Sequence, residues 1–106
     1  MPQRRDRKRA PERKKEGTLL ISVAGRVEHV LPSGEQEIAE LIETPLEDLT
    51  DLPFGARSKM WMSRSMQIDH EAPINRAASH ALKLSGLEIA IRGPVVVHHE
   101  KIEAMA

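Results

Sequence analysis

Residues 73–86 read Pro73-Ile74-Asn75-Arg76-Ala77-Ala78-Ser79-His80-Ala81-Leu82-Lys83-Leu84-Ser85-Gly86, and this stretch decides the fold class. Ile74, Ala77, Ala78, Ala81 and Leu82 recur at i, i+3, i+4, i+7 and i+8, the spacing of one apolar helix face. Three of the five are alanine, so the helix can lie close against a sheet. Gly86 is the natural stop, because glycine takes the left-handed conformation that ends a helix. The opposite face carries Asn75, Arg76, Ser79, His80 and Lys83.

Strand signals flank this helix. After it come Leu87–Ile91, the break Arg92-Gly93-Pro94, and the β-branched run Val95-Val96-Val97-His98-His99. Before it come Lys59–Ser63 and Ser65–Asp69; in the second, Met66 and Ile68 alternate with Ser65, Gln67 and Asp69 at the period of a half-buried strand. Met60, Trp61 and Met62 are consecutive, so the first is either covered on both faces or presents an apolar side chain outward.

Further toward the N-terminus, two capping patterns predict a short helix and then a short amphipathic turn or helix. Ser33 with Gln36 precedes Glu35–Glu43, where Ile38, Leu41 and Ile42 share a face. Thr44-Pro45-Leu46-Glu47 precedes Leu46, Leu49 and Leu52, closed by Pro53. The apolar stretches Leu19–Val23 and Val27–Leu31, joined by Ala24-Gly25-Arg26, predict a hairpin. The expected order is β-β-α-(α)-β-β-α-β-β. That is an α+β fold with one small antiparallel or mixed sheet and two or three short helices packed on one face.

Residues 59–97 resemble a family of small uncharacterised α+β proteins carried by phages, plasmids and other bacterial mobile elements. The resemblance rests on an acidic loop (Asp69-His70-Glu71), a helix start of the form P-I-N-x-x-A (Pro73 to Leu82) and a strand of the form I-x-G-x-V-V-V (Ile91 to Val97). The chain departs from the pattern in lacking a glycine after Glu71, in a longer and more acidic Thr44–Arg57 segment, and in its N-terminal arm. The resemblance implies a mobile-element setting and the cytoplasm of a bacterial host, and it brings no catalytic residues.

The formal net charge of the 106 residues is zero, with 16 basic and 16 acidic side chains. That balance conceals an asymmetry. Residues 1–16 hold Arg4, Arg5, Arg7, Lys8, Arg9, Arg13, Lys14 and Lys15 against three acids, a net of +5, and residues 17–106 carry −5. The arm is nearly devoid of apolar residues, so it is expected to be disordered ahead of one α+β domain spanning 17–106. It carries no apolar segment of the kind a secretory signal needs. The readings of it are non-specific contact with nucleic-acid phosphates through residues 4–15, or a tail that is only solubilising or folds back on the acidic body.

Several chemistries are disfavoured. The chain has no cysteine, which removes disulfides and thiolate chemistry. His98 and His99 are adjacent, so on a strand they point apart, and no metal-ligand spacing or phosphate-cradling glycine loop occurs. No apolar run is long enough to span a membrane. The sequence therefore predicts no catalytic residues, no metal and no cofactor.

Two candidate sites remain. Asn75, Arg76, Ser79, His80 and Lys83 form either an anion- or ligand-binding patch beside the helix start or a solvated face, with Asn75 closing the Asp69–Pro73 loop. Met60, Trp61, Met62 and Met66 form either an interface or core bulk in a chain with one Phe and no Tyr. The expected activity is a non-enzymatic accessory protein that binds a host protein, another macromolecule or a ligand. The alternatives are a nucleic-acid-associated protein using its arm, and an anti-defence protein sequestering a nucleotide signal near Asn75–Lys83. A homodimer through Met60–Met62 or the terminal strand is a further expectation.

Overall fold

The computed structural model describes residues 17–99. The basic arm and the weak helix propensity noted at Glu100–Ala106 lie outside the described residues. Five strands, β1 (Gly17–Ile21), β2 (Val27–His29), β3 (Leu49–Phe54), β4 (Ser58–Ser63) and β5 (Val95–His99), form one antiparallel sheet in the order β2-β1-β5-β4-β3. Three helices accompany it: α1 (Glu35–Leu41), the single turn α2 (Arg64–Gln67) and α3 (Arg76–Leu84). The α+β class read from the sequence is the observed one.

The three inner strands, β1, β5 and β4, carry apolar runs, and the pleat sends alternate residues to opposite faces. Ile21, Met60, Met62 and Val95 point to one face, where Ala78 and Leu82 of α3 cover them together with Ile91 and Phe54. Leu20, Trp61 and Val96 point to the other face, where Ile38 and Ile42 of the α1 region cover them. The helices thus lie on both faces of the sheet, not on one as expected. Val95 and Val96 are both fully buried although adjacent, which only a sheet covered on two sides allows.

Three elements differ from expectation for identifiable reasons. The segment Ser65–Asp69 is not a strand. Ser63 accepts a hydrogen bond from the Met66 N–H and so caps α2, and Ile68, which the alternation would bury, is exposed. Of the turn or helix expected at Leu46–Leu52, only a 3₁₀ turn at Leu46–Asp48 forms, and it runs straight into β3, whose six residues pair with β4 from Leu49↔Ser63 to Phe54↔Ser58. Pro53 is tolerated there because β3 is an edge strand. Leu87–Ile91 forms no strand; the only pairing nearby is the isolated antiparallel bridge Ile74↔Arg92.

Helix ends also refine the capping patterns. Gly34, not Ser33, occupies the N-cap of α1, and the Ser33 N–H donates to Glu37 rather than engaging Gln36. Pro45, not Thr44, caps the 3₁₀ turn. Both α1 and α3 end in a Schellman motif. In α3 the Gly86 N–H reaches the Lys83 carbonyl and the Leu87 N–H reaches that of Leu82. In α1 the equivalent left-handed position is Glu43 at φ 60°, so the helix stops at Leu41, two residues earlier than expected.

Asn75 joins these parts. It is fully buried and is the N-cap of α3. Its Oδ1 accepts from the Ala78 N–H at 3.0 Å, and its Nδ2 donates to the carbonyls of Ile21 and Gly93, each at 3.0 Å. One side chain therefore fixes the helix start, the end of β1 and the entry to β5. Replacing Asn75 with Ala removes a cap and takes one donor from each of two carbonyls. Asn75→Ala is expected to lower stability by about 3 kcal/mol, read as a fall in the urea midpoint with little change in slope.

Candidate functional site

The connection from β2 to α1 runs across the α1 side of the sheet. Val30 is anchored by its N–H to the Thr18 carbonyl, and the chain then passes through Leu31 and Pro32 to the start of α1. This path leaves two adjoining open depressions that share Pro32. One, of about 340 Å³, is lined by Val30, Leu31, Pro32, Glu37, Glu40 and Leu41. The other, of about 270 Å³, is lined by residues that include Thr18, Glu35, Ile38, Trp61 and His98. Together they make a groove with an apolar floor and a rim of three carboxylates.

Two features mark this groove as unlike the rest of the surface. Leu31 is 95% exposed, the most exposed large apolar side chain among the described residues. Trp61, the only tryptophan of the chain, is half-buried against Ile38, Ile42 and Val96. Lys59, two residues away on the same face, holds its ammonium 5.4 Å from the indole centroid and 3.6 Å from the Asp51 carboxylate. The ring thus already carries a cation, the interaction expected of an electron-rich indole face. At the other side of the depression Thr18 Oγ1 and His98 Nδ1 lie 2.8 Å apart, a cross-strand pair in direct register.

The residues singled out in the sequence are dispersed. Met60 and Met62 are buried under α3, so they supply core bulk and lie away from any contact surface; only Trp61 of that triplet faces the groove. Met66 is half-buried, its sulfur lying against Gly93, where a Cβ would collide with it. On the far side, the proposed anion patch is divided. The Asn75 amide is engaged inside the fold. Ser79 Oγ donates to the Asn75 carbonyl and accepts from the Ile91 N–H. Arg76, His80 and Lys83 remain exposed along the outer face of α3.

A second polar centre escaped the sequence reading. Asp48 accepts hydrogen bonds from Ser63 Oγ (2.6 Å), Ser65 Oγ (2.8 Å) and Thr44 Oγ1 (3.0 Å), and from the Ser65 N–H (3.1 Å). These donors, Ser63 first and then Ser65, hold its carboxyl down at about 2 against an ordinary 3.8. It links the 3₁₀ turn to the start of α2. Thr44 is four residues away, but Ser63 and Ser65, the partners with the largest effect, lie 15 and 17 residues away in sequence, so no local motif announces the cluster.

Ser63 and Ser65 are thus hydrogen-bonded around a carboxylate, with no imidazole in the cluster. His99 Nδ1 lies 2.7 Å from Ser58 Oγ, and His98 faces the opposite side. Among the described residues no group of three or more His, Asp or Glu side chains is placed to hold a metal ion, and no helix is long and apolar enough to cross a membrane. No protein-family model, curated protein or solved structure matches the chain.

The depressed Asp48 carboxyl carries a pH signature. The folded state binds this proton more weakly than the unfolded chain, so its stabilisation is complete above 3.8 and is lost as the pH falls through about 2. Urea midpoints measured between neutral pH and pH 2 are expected to fall along that interval. In Asp48→Ala the neutral-pH midpoint is already lower and the acid dependence is shallower.

Proposed function

We propose that this protein acts by binding rather than by turnover, through the groove between the β2–α1 connection and the sheet. The observation that carries this reading is the groove's composition. The chain's single tryptophan and an almost fully exposed leucine line an apolar floor beneath three carboxylates. Half-buried indoles next to apolar side chains are typical anchors of protein contacts. The hydroxyls that nucleophilic chemistry would use, Ser63, Ser65 and Ser79, are all hydrogen-bonded within structural elements. The resemblance of residues 59–97 supports an accessory role in a phage or other mobile element, with a host macromolecule as partner.

Nuclear magnetic resonance titration with a panel of amphipathic peptides and fragments tests this reading. Shifts are expected to cluster at Leu31, Ile38, Leu41 and the Trp61 indole. Leu31→Glu, which alters no core contact, is expected to weaken binding about tenfold while leaving the unfolding midpoint unchanged. Shifts confined to Arg76, His80 and Lys83, or metal-dependent turnover of nucleotides or nucleic acid, would overturn it.

A second reading concerns the arm. Its eight basic residues within twelve positions favour non-specific association with polyanions. Duplex DNA binding is then expected to be weak, insensitive to sequence and steeply salt-dependent. The logarithm of the affinity would fall with that of salt by about 0.9 per phosphate neutralised. Neutralising Arg4, Arg5, Arg7, Lys8 and Arg9 with glutamine would flatten that slope; Arg76→Ala would not.

A further inference from the structure

We propose that residues 4–15 dock in cis along the α1 groove, so that the basic arm is held against the protein's own acidic face until a polyanion displaces it. This rests on the groove being a contact surface and names one occupant for it. The first argument is position. The arm ends at Glu16, and the next residues open β1: Gly17 pairs with His99, and Thr18 itself lines the depression that holds Trp61. The arm therefore leaves the fold at the edge of the groove.

The second argument is charge. Glu35, Glu37, Glu40 and Glu43 are all exposed along α1 and its end, and the last turn of α1 has no basic residue. Among the described residues the one ion pair is Lys59–Asp51, so these four carboxylates have no cationic partner there. The arm's net +5 matches the −5 of the remainder.

The third argument is chemistry and reach. Trp61 and Glu35 line the same depression, so the aliphatic stem of an arginine or lysine can cover the indole edge while its charge meets the carboxylate. Seven helical residues span about 10 Å. Twelve residues of extended chain reach about 40 Å, so the arm can cover the whole acidic face. Each surface pair is weak alone, but a short tether raises the local concentration of the arm to the millimolar range.

Trp61 is the chain's only tryptophan and lies in the groove, so its fluorescence reads docking in the full-length chain without a label. The neutral quencher acrylamide is applied to the native chain and to a full-length variant in which the eight basic residues of the arm are glutamine. At low ionic strength, where nearby charges attract with little screening, quenching of the native chain is expected to be roughly twofold weaker than that of the variant. The difference is expected to vanish in about 1 M salt, where the screening length shrinks to about 3 Å. Combining Glu35→Gln, Glu37→Gln and Glu40→Gln, three exposed positions, should give the unshielded value with the native arm.

Equal quenching of the native chain and the arm variant at low salt overturns the proposal. Shielding that persists in high salt overturns its electrostatic basis. Shielding that grows with protein concentration assigns the groove to the arm of a second copy and overturns docking in cis. If the arm leaves Trp61 exposed while peptides still shift the groove resonances, this inference falls and the binding reading stands.

Discussion

The fold depends on one buried amide. Asn75 satisfies a helix N–H and two backbone carbonyls at once, and each of the three belongs to a different part of the chain. A buried polar group is costly unless its hydrogen-bonding capacity is met, and here the demand runs in both directions. The amide needs the three backbone groups, and those groups have no solvent to replace it. The same neighbourhood is stitched by backbone bonds from the Gly93 N–H to the Pro73 carbonyl and from the Asn75 N–H to the Ile91 carbonyl. The P-I-N and I-x-G motifs are therefore two halves of one hydrogen-bonded junction. Of the residues that form a polar face in the sequence, Asn75 and Ser79 belong to this joint between helix and sheet, while Arg76, His80 and Lys83 stay exposed.

That joint explains why the segment after α3 is extended without becoming a strand. Several of its backbone groups are paired with side chains rather than with a neighbouring strand. The Ile91 N–H donates to Ser79 Oγ, and the Arg92 N–H and carbonyl meet the amide of Gln67 through Oε1 and Nε2, both at 2.9 Å. Gln67 thereby imitates a peptide group. The Arg92 guanidinium in turn holds the loop before α3 through the carbonyls of His70 and Ala72. A ladder of side chains leaves no signature in local periodicity, and Leu87, Ile89 and Ile91 alternate as a strand would.

Legibility followed the range of the interactions. Helix α3, the first hairpin and β5 are visible in sequence because periodicity and turn glycines act locally. Strand β3 was obscured because Thr44-Pro45-Leu46-Glu47 starts a helical turn that only the pairing with β4 curtails. The two-sided covering of the sheet was hinted at by Met60-Trp61-Met62, but which face α1 takes depends on the path through Leu31 and Pro32. The groove was legible only through Trp61. An exposed leucine in a loop looks the same in sequence as a buried one, and the acidic face of α1 reads as ordinary solvation until the arm's point of departure is known.

The position of β5 has a consequence for how the chain acquires its shape. It is the last described strand to be synthesised, yet it lies in the middle of the sheet, between β1 and β4. Until Val95–His99 is available, the hairpins β1–β2 and β3–β4 have no common partner, and each presents an apolar inner edge with unpaired backbone groups. Closure is a single late event that joins segments some eighty residues apart, as in the Thr18–His98 pair. Folding should then be slow for the chain's size, and its interval of greatest exposure to edge-to-edge misassociation falls between the emergence of β4 and that of β5.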